Sequence, residues 1–215
     1  YSQFITTGIL LLALALEQHG YQRSEGEPLL DYPKKTKRAV RDGGGRYIFI
    51  SGQKELSPDN QSAIEKAIHP DNKNGERVKV ILGSPIAGEG LDLRCVREVH
   101  LLEPWFHMNL VEQVVGRGIR NKSHINLPME KRNVTVYLHA SIDSREGSAK
   151  ESIDMYMYRI SERKMLQSVQ IEKMIKTNAV DCQLNLHGNQ FPVTSQNIRT
   201  GQGVVVRNYK SGDTP

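Results

Sequence analysis

The sequence has few cysteines and no apolar stretch long enough to cross a membrane. Only Cys95 and Cys182 occur in 215 residues, and they match neither a disulfide framework nor a zinc site. The apolar run GILLLALAL at 8–16 is too short to span a bilayer and lacks the basic flank and cleavage site of a signal peptide. We therefore expect a protein from reducing surroundings, with a buried helix at 8–16.

Charge is unevenly distributed along the chain. The formal net charge is +5, and KKTKRAVR at 34–41 carries five cations and no acid. This bias suits an anionic partner such as nucleic acid, with Lys34, Lys35, Lys37 and Arg38 as candidate contacts. The alternative is a solvated surface loop. A hydrophobic content of 38% is enough for one main domain with an appended helical segment.

Apolar runs and helical patterns alternate along the first two thirds of the chain. Strands are predicted at 46–52, 77–85, 97–104 and 132–141, with helices at 57–70 and 108–120, the first of them capped by Ser57. This order predicts an α/β fold: a parallel sheet with helices on both faces and ligands beyond the carboxyl ends of the strands. YSQFIT at 1–6 is typical of the end of a strand that leads into a helix. Because the first residue is not methionine, we expect the chain to be a piece of a longer protein.

The last third of the sequence predicts a long amphipathic helix. Ile153, Tyr156, Met157 and Ile160 share a helical spacing, so we expect them to form one stripe packed against the sheet. In AVDCQLN at 179–185, alternation predicts that Val180, Cys182 and Leu184 face inward. The alternative is a mobile linker. The predicted divisions are therefore 1–149 with a basic loop at 21–46, a helical extension at 150–198 and a tail at 199–215.

Two segments carry residues suited to phosphate chemistry. In QVVGRGIR, Gln113, Gly116, Arg117 and Arg120 are spaced to share one helical face, and the nearest acid in sequence, Glu112, lies on another face. Two arginines without an acid favour an external anion such as polyphosphate, and Gly116 leaves room for its approach. The alternative is a solvated charged face.

The second segment is the glycine-rich loop GSPIAGEGLDL at 83–93. Its backbone N–H groups suit phosphate, the Ser84 hydroxyl suits a nucleic-acid backbone, and Asp92 would accept a hydrogen bond from a ribose hydroxyl. A tight turn is the alternative interpretation.

Together, SPIAGEGLDL and QVVGRGIR resemble motifs V and VI of superfamily 2 helicases in order and spacing. YSQF at 1–4 resembles motif IV of the Swi2/Snf2-like branch, and ISGQ at 50–53 occupies the place of that branch's Leu-Asp-Gly-Ser stretch. The resemblance covers residues 1–141. The segment 157–185 resembles helicases of nucleocytoplasmic large DNA viruses, the group that includes transcription helicases of poxviruses and African swine fever virus.

The resemblance implies the second RecA-like domain of an ATP-dependent helicase, a three-layer α/β fold. It implies that Arg117 and Arg120 act as arginine fingers beside Gln113, on a helix face that Gly116 and Gly118 keep slim enough for the nucleotide to approach. It also implies nucleotide contacts at Gly90, Asp92 and Gly116, and nucleic-acid contacts at Ser84, at Gly52 and in the basic loop. ATP and Mg²⁺ are the implied cofactors. The implied partners are DNA or RNA, a first RecA-like domain, and transcription-factor or RNA polymerase subunits, in the virion and host cytoplasm.

The sequence departs from the helicase pattern in two ways. No Gly-x-x-x-x-Gly-Lys-Ser/Thr loop and no acidic Mg²⁺ motif occur in the 215 residues, so the phosphate cradle and the metal ligands are expected from the first domain. Glu89 stands where some relatives have arginine. Two alternatives stay open: a translocase that tracks duplex without unwinding it, and a non-catalytic RecA-like platform.

Overall fold

The computed structural model describes residues 1–30, 44–85, 90–142 and 151–180, and the backbone of 198–199 and 205–206. The chain divides into two compact units, Tyr1–Met165 and Leu166–Pro215. Elements are labelled in chain order: α1 Leu10–Gln18, β1 Gln22–Arg23, β2 Arg46–Ile50, α2 Asn60–Ile68, β3 Val80–Gly83, β4 Glu98–Leu101, α3 Met108–Gly118, β5 Thr135–Leu138, α4 Ile153–Thr177, β6 Ile198–Arg199 and β7 Val205–Val206. A π-helical turn at Ile5–Ile9 leads into α1, and short 3₁₀ turns lie at Pro70–Asn72 and Met129–Lys131.

Five parallel strands form two groups that the N-terminal residues connect. Strands β1, β2 and β3 pair in that order, and β4 pairs with β5. Between the groups, the Ser2 backbone N–H donates to Gly83 O at 3.1 Å, and Leu102 N–H donates to Tyr1 O at 3.0 Å. The predicted parallel sheet is therefore confirmed, and the start of the chain lies at its centre. β6 and β7, in the second unit, pair antiparallel.

Alternation along β2 supplies side chains to both faces of the sheet. Tyr47 and Phe49 pack in one cluster with Ile9 and Ala13 of the first helical segment. On the opposite face, Ile48 and Ile50 pack with Ala63 and Ala67 of α2. Strands that are buried on both faces are typical of parallel sheets. The predicted three-layer α/β fold is confirmed.

The predicted buried helix at 8–16 is confirmed on one face. Ile9 and Ala13 are fully buried in a core cluster. Leu11, on the other face, is 56% exposed. The buried carboxylate of the helix, Glu17, accepts hydrogen bonds from the Leu29 and Leu30 N–H groups at 3.0 and 2.8 Å and fixes the chain that follows β1.

The predicted cap of α2 was also wrong. Asp59, not Ser57, caps the helix, and its carboxylate accepts from Ser62 N–H at 3.1 Å. The Ser57 hydroxyl instead donates to Phe49 O at 2.9 Å, inside the structure. Because this buried carbonyl takes the hydroxyl, the helix begins two residues later than the sequence pattern suggests.

The first part of α4 belongs to the same compact unit as the sheet, but its buried face only partly coincides with the predicted stripe. Ser161 is fully buried, and the Tyr158 hydroxyl donates to His139 O at 3.0 Å. Ile153 is 74% exposed and Tyr156 is 45% exposed, so the predicted stripe was wrong at these two positions, whereas Met157 and Ile160 are partly buried. A pattern of apolar residues identifies a helix without fixing which side meets a partner.

The predicted inward-facing segment after α4 lies mostly outside the described residues. Cys182 and Leu184 are among the residues that are not described, whereas Val180 is fully exposed, contrary to the prediction. Among the helices of the described part, none combines the length and the apolar character that crossing a membrane requires.

Candidate nucleotide and nucleic-acid site

The segments that follow β2 and β3 carry four of the residues singled out by sequence, Gly52, Ser84, Gly90 and Asp92. Gly52 follows β2 and is exposed. The turn around it is held by Asn60, whose amide nitrogen donates to Ser51 O at 2.9 Å while its amide oxygen accepts from Ser51 N–H at 3.3 Å. Gly52 therefore lies at the predicted carboxyl edge of the sheet, on a turn that Asn60 of α2 holds in place.

Ser84 follows β3 directly but is only 1% exposed. Its backbone N–H donates to Ile50 O at 3.0 Å, which extends the pairing of β2 and β3 past the end of the strand. The hydroxyl is thus at the predicted edge but beneath the surface. Its role as a nucleic-acid contact stays a prediction.

Asp92 joins the glycine-rich loop to the end of α3. Its carboxylate oxygens lie 3.6 Å from Arg120 Nη1 and 3.6 Å from Arg94 Nη2. The expectation that the arginines lack a nearby acid was therefore wrong for Arg120, because residues distant in sequence meet here. Asp92 is about half exposed, so this ion pair is weak and open to competition by another anion. Gly90, at the start of this described stretch, has a φ of +66°, which favours glycine.

Arg94 was missed by sequence reasoning, although it lies only two residues after Asp92. Glu103 was also missed: its carboxylate accepts from the Ser2 hydroxyl at 3.0 Å and from Gln3 N–H at 2.5 Å. Glu103 thus ties the first residues of the chain to the loop after β4. The available signal was an acid near the carboxyl end of a predicted strand.

Helix α3 has one packed face and one open face. Val111, Val114 and Gly118 are buried. A Cβ added to Gly118 would lie 3.2 Å from Val96 Cγ1 and 3.2 Å from Val99 Cγ2, so this glycine permits close packing on β4. The expectation that Gly118 keeps the nucleotide-facing side of α3 slim was therefore wrong.

Gly116 behaves as the sequence predicts. A Cβ added there would meet nothing within 4 Å, so its side of α3 is open to approach. Gln113 and Arg117 lie on the same side by helical spacing, and both make interactions within the chain. The helix ends at Gly118, and Ile119 has φ −113° and ψ 75°, so Arg120 lies beyond the helix rather than on its face. Its contact with Asp92 nevertheless places Arg120 at the carboxyl edge of the sheet, beside the glycine-rich loop.

Five residues singled out by sequence lie outside the described residues: Lys34, Lys35, Lys37, Arg38 and Glu89. In the part of the chain that is described, no group of three histidine, cysteine or acidic residues could hold a metal ion. The described residues at this edge thus offer cations and open backbone to an anion, and no ready set of metal ligands.

Comparison with known proteins identifies a helicase domain. Residues 30–122 match the family model of the helicase conserved C-terminal domain. This range contains the glycine-rich loop, Asp92, α3 and Arg120, and therefore nearly all of the carboxyl-edge site.

Individual relatives come from large DNA viruses. The chain is 30% identical over 192 residues to candidate helicase 087L of Invertebrate iridescent virus 3, which covers 88% of this chain and 18% of that protein. It is 37% identical over 151 residues to candidate ATP-dependent RNA helicase R563 of Acanthamoeba polyphaga mimivirus, covering 70% and 26%. It is 28% identical over 214 residues to a termination factor NPH-I homolog of African swine fever virus, covering 86% and 30%. The chain thus spans less than a third of the length of each of these relatives.

Proposed function

Since this chain carries a helicase conserved C-terminal domain like those of large DNA viruses, we propose that it is the second motor domain of an ATP-dependent helicase or translocase. In such a motor, ATP binds between two RecA-like domains. The chain would supply arginine fingers and nucleic-acid contacts, and a first domain of the same protein would supply the phosphate cradle and the Mg²⁺ ligands.

The observation that carries this proposal is the meeting of Asp92 and Arg120 beside the open side of α3. Arg120 Nη1 lies 3.6 Å from Asp92 Oδ1, and nothing lies within 4 Å of a Cβ built on Gly116. An arginine held by an exposed carboxylate can be drawn away by a more highly charged anion, because its present ion pair is weak. The open glycine allows a facing domain with its bound nucleotide to come close.

The residues at this edge fit part of an ATP molecule. Arg117 and Arg120 would contact the terminal phosphate, where their charge opposes the negative charge that develops during hydrolysis. Gln113 would orient groups beside them, and Gly90 and Asp92 would border the nucleotide. Bound ATP supplies the phosphoanhydride bond whose cleavage drives the motor.

Nucleic acid would contact the ends of β2 and β3. Gly52 presents exposed backbone there, and the basic segment at 34–41 adds positive charge to the chain. Such contacts fix the backbone of a nucleic acid without reading its sequence. We expect weak binding by this domain alone, with a steep dependence on salt.

The African swine fever virus relative is named as a termination factor, and this name favours action during transcription. The natural partners would then be transcription-factor or RNA polymerase subunits, in the virion and the host cytoplasm. Termination motors can track along duplex without separating it. A strand-displacement assay on the full-length protein distinguishes the two activities: displaced strand supports a helicase, and ATP hydrolysis without displacement supports a duplex-tracking translocase.

A direct test compares ATP hydrolysis by the 215-residue chain with hydrolysis by the full-length protein. The chain alone should show no meaningful turnover, because it lacks the Gly-x-x-x-x-Gly-Lys-Ser/Thr loop and the acidic Mg²⁺ motif. The full-length protein should hydrolyse ATP. Brisk metal-dependent turnover by the chain alone would contradict the assignment of the phosphate cradle and the Mg²⁺ ligands to a first domain. A full-length protein that binds nucleic acid but never hydrolyses ATP would favour the non-catalytic platform.

A further inference from the structure

A second cationic site lies at the opposite edge of the sheet from the loops described above. A cavity of about 310 Å³ is lined by Ser24, Arg46, Lys66, Arg77 and Val78. Arg46 is the first residue of β2, Arg77 lies shortly before β3, and Lys66 is in the last turn of α2. Three separate segments therefore bring a cation to one cavity at the amino ends of the strands.

The three cations differ in how their charge is balanced. Lys66 Nζ lies 2.5 Å from Glu25 Oε1, and Arg77 Nη2 lies 2.6 Å from Asp71 Oδ2. The Arg46 guanidinium has no hydrogen-bond or ion-pair partner among the residues that the structure describes, and it is exposed. The cavity thus holds one uncompensated charge and two further cations, Lys66 and Arg77, whose side chains are about half exposed and can share another anion.

We propose that this amino-edge cavity binds a phosphate group of a nucleic-acid backbone. The guanidinium groups of Arg46 and Arg77 match phosphate geometry, and the Ser24 hydroxyl is a further donor. Among the described residues no aromatic side chain lines the cavity, so we expect no base to stack there and the contact to be independent of sequence. The site goes beyond the proposed function, because it lies at the other end of the strands from Asp92 and α3.

Removing the uncompensated charge tests the site. In fluorescence anisotropy with labelled duplex and single-stranded DNA at low salt, Arg46→Gln should weaken binding by about fivefold for at least one of them. The slope of log affinity against log salt should fall by about 1, as expected when one phosphate contact is lost. Arg163→Gln, which removes an exposed arginine on α4, is the matched control and should leave both quantities unchanged. Unchanged affinity and slope in Arg46→Gln would overturn the proposal.

A second variant should change the affinity for DNA in the opposite direction. Glu25→Gln removes the carboxylate that holds Lys66, so DNA binding should become about two- to threefold tighter. Unchanged or weaker binding would contradict the assignment of Lys66 to the site. Thermal unfolding of each variant verifies that the fold is retained.

Titration with tripolyphosphate and with ATP distinguishes the sources of phosphate. If Arg46→Gln weakens the binding of these free compounds but not of DNA, the cavity is a polyphosphate site and the nucleic-acid assignment is wrong. The proposed motor function is tested independently, by ATP hydrolysis of the unsubstituted full-length protein in the absence of nucleic acid.

Discussion

The two faces of α3 differ in what a missing side chain achieves. On the packed face, Gly118 lets the helix approach Val99 of β4 and Val96, which lies just before that strand. On the open face, Gly116 has nothing within reach of a Cβ. In the sequence the two glycines are separated by one residue and look alike, yet one serves packing within the domain and the other leaves a surface clear. Close packing and ligand access are therefore separable in the same helix.

Substitution on the packed face should produce the larger change in stability. Gly118→Val places methyl groups against Val96 and Val99, and overpacking of this kind costs about 1–3 kcal/mol. Urea unfolding can be followed by the fluorescence of Trp105, the single tryptophan, which packs in the same cluster as Val111. Gly116→Val is the matched control and should not destabilise the chain. Equal losses at both positions would remove the distinction between the faces.

Substitution on the open face should have a smaller effect of opposite sign. Gly116→Ala should raise the free energy of unfolding by about 0.5–1 kcal/mol, because alanine is the better helix former and its methyl group meets no neighbour. The same variant should lower ATP hydrolysis in the full-length protein if a facing domain approaches there. A destabilised Gly116→Ala chain would indicate that this face is packed after all.

The smallest expected effect is on the face of β4 and β5 that lies opposite the cluster beneath α3. Val99 and Leu101 of β4 point into the cluster beneath α3, whereas His100 lies on the outer face, with its Nδ1 3.0 Å from His139 Nε2. Burial, together with the nearby His100, lowers the pKa of His139 below its usual 6.5. Glu98 also faces this pair, with Oε2 3.2 Å from His100 Nε2.

A lowered pKa makes the folded state a poorer proton binder than the unfolded chain at His139. Stability should therefore fall as pH drops through 6.5, the value expected for the unfolded chain, and the loss should level off below the folded pKa. Thermal unfolding between pH 7.5 and 5.5 measures this dependence. His139→Gln should show a shallower decline than the parent chain, and identical slopes would show that His139 does not contribute.

Local pattern was sufficient for the sheet and for the packed side of α3. The strands at 46–50 and 80–83 are short apolar runs that end in small residues, and their parallel pairing follows from the helix between them. The positions of Gln113 and Arg117 follow from helical spacing alone. These features depend on residues close in sequence, so the sequence was an adequate guide to them.

Features that depend on distant contacts could not be predicted in the same way. Ser57 looks like a helix cap, but the Phe49 carbonyl eight residues earlier takes its hydroxyl. Arg120 looked unpaired because Asp92 is 28 residues away in the chain. In α4 the apolar pattern was real, but Ser161, a polar residue, sits at the contact. In each case the deciding partner comes from another element.

The most direct test of the motor assignment is the turnover rate of full-length protein with either arginine removed. Arg117→Ala or Arg120→Ala should lower kcat by about 10³-fold or more, the scale of an arginine finger, with a smaller effect on nucleotide affinity. Arg163→Ala, an exposed arginine on α4, should leave kcat unchanged. A variant of either candidate that keeps a near-normal kcat would contradict the account and remove that arginine from the site.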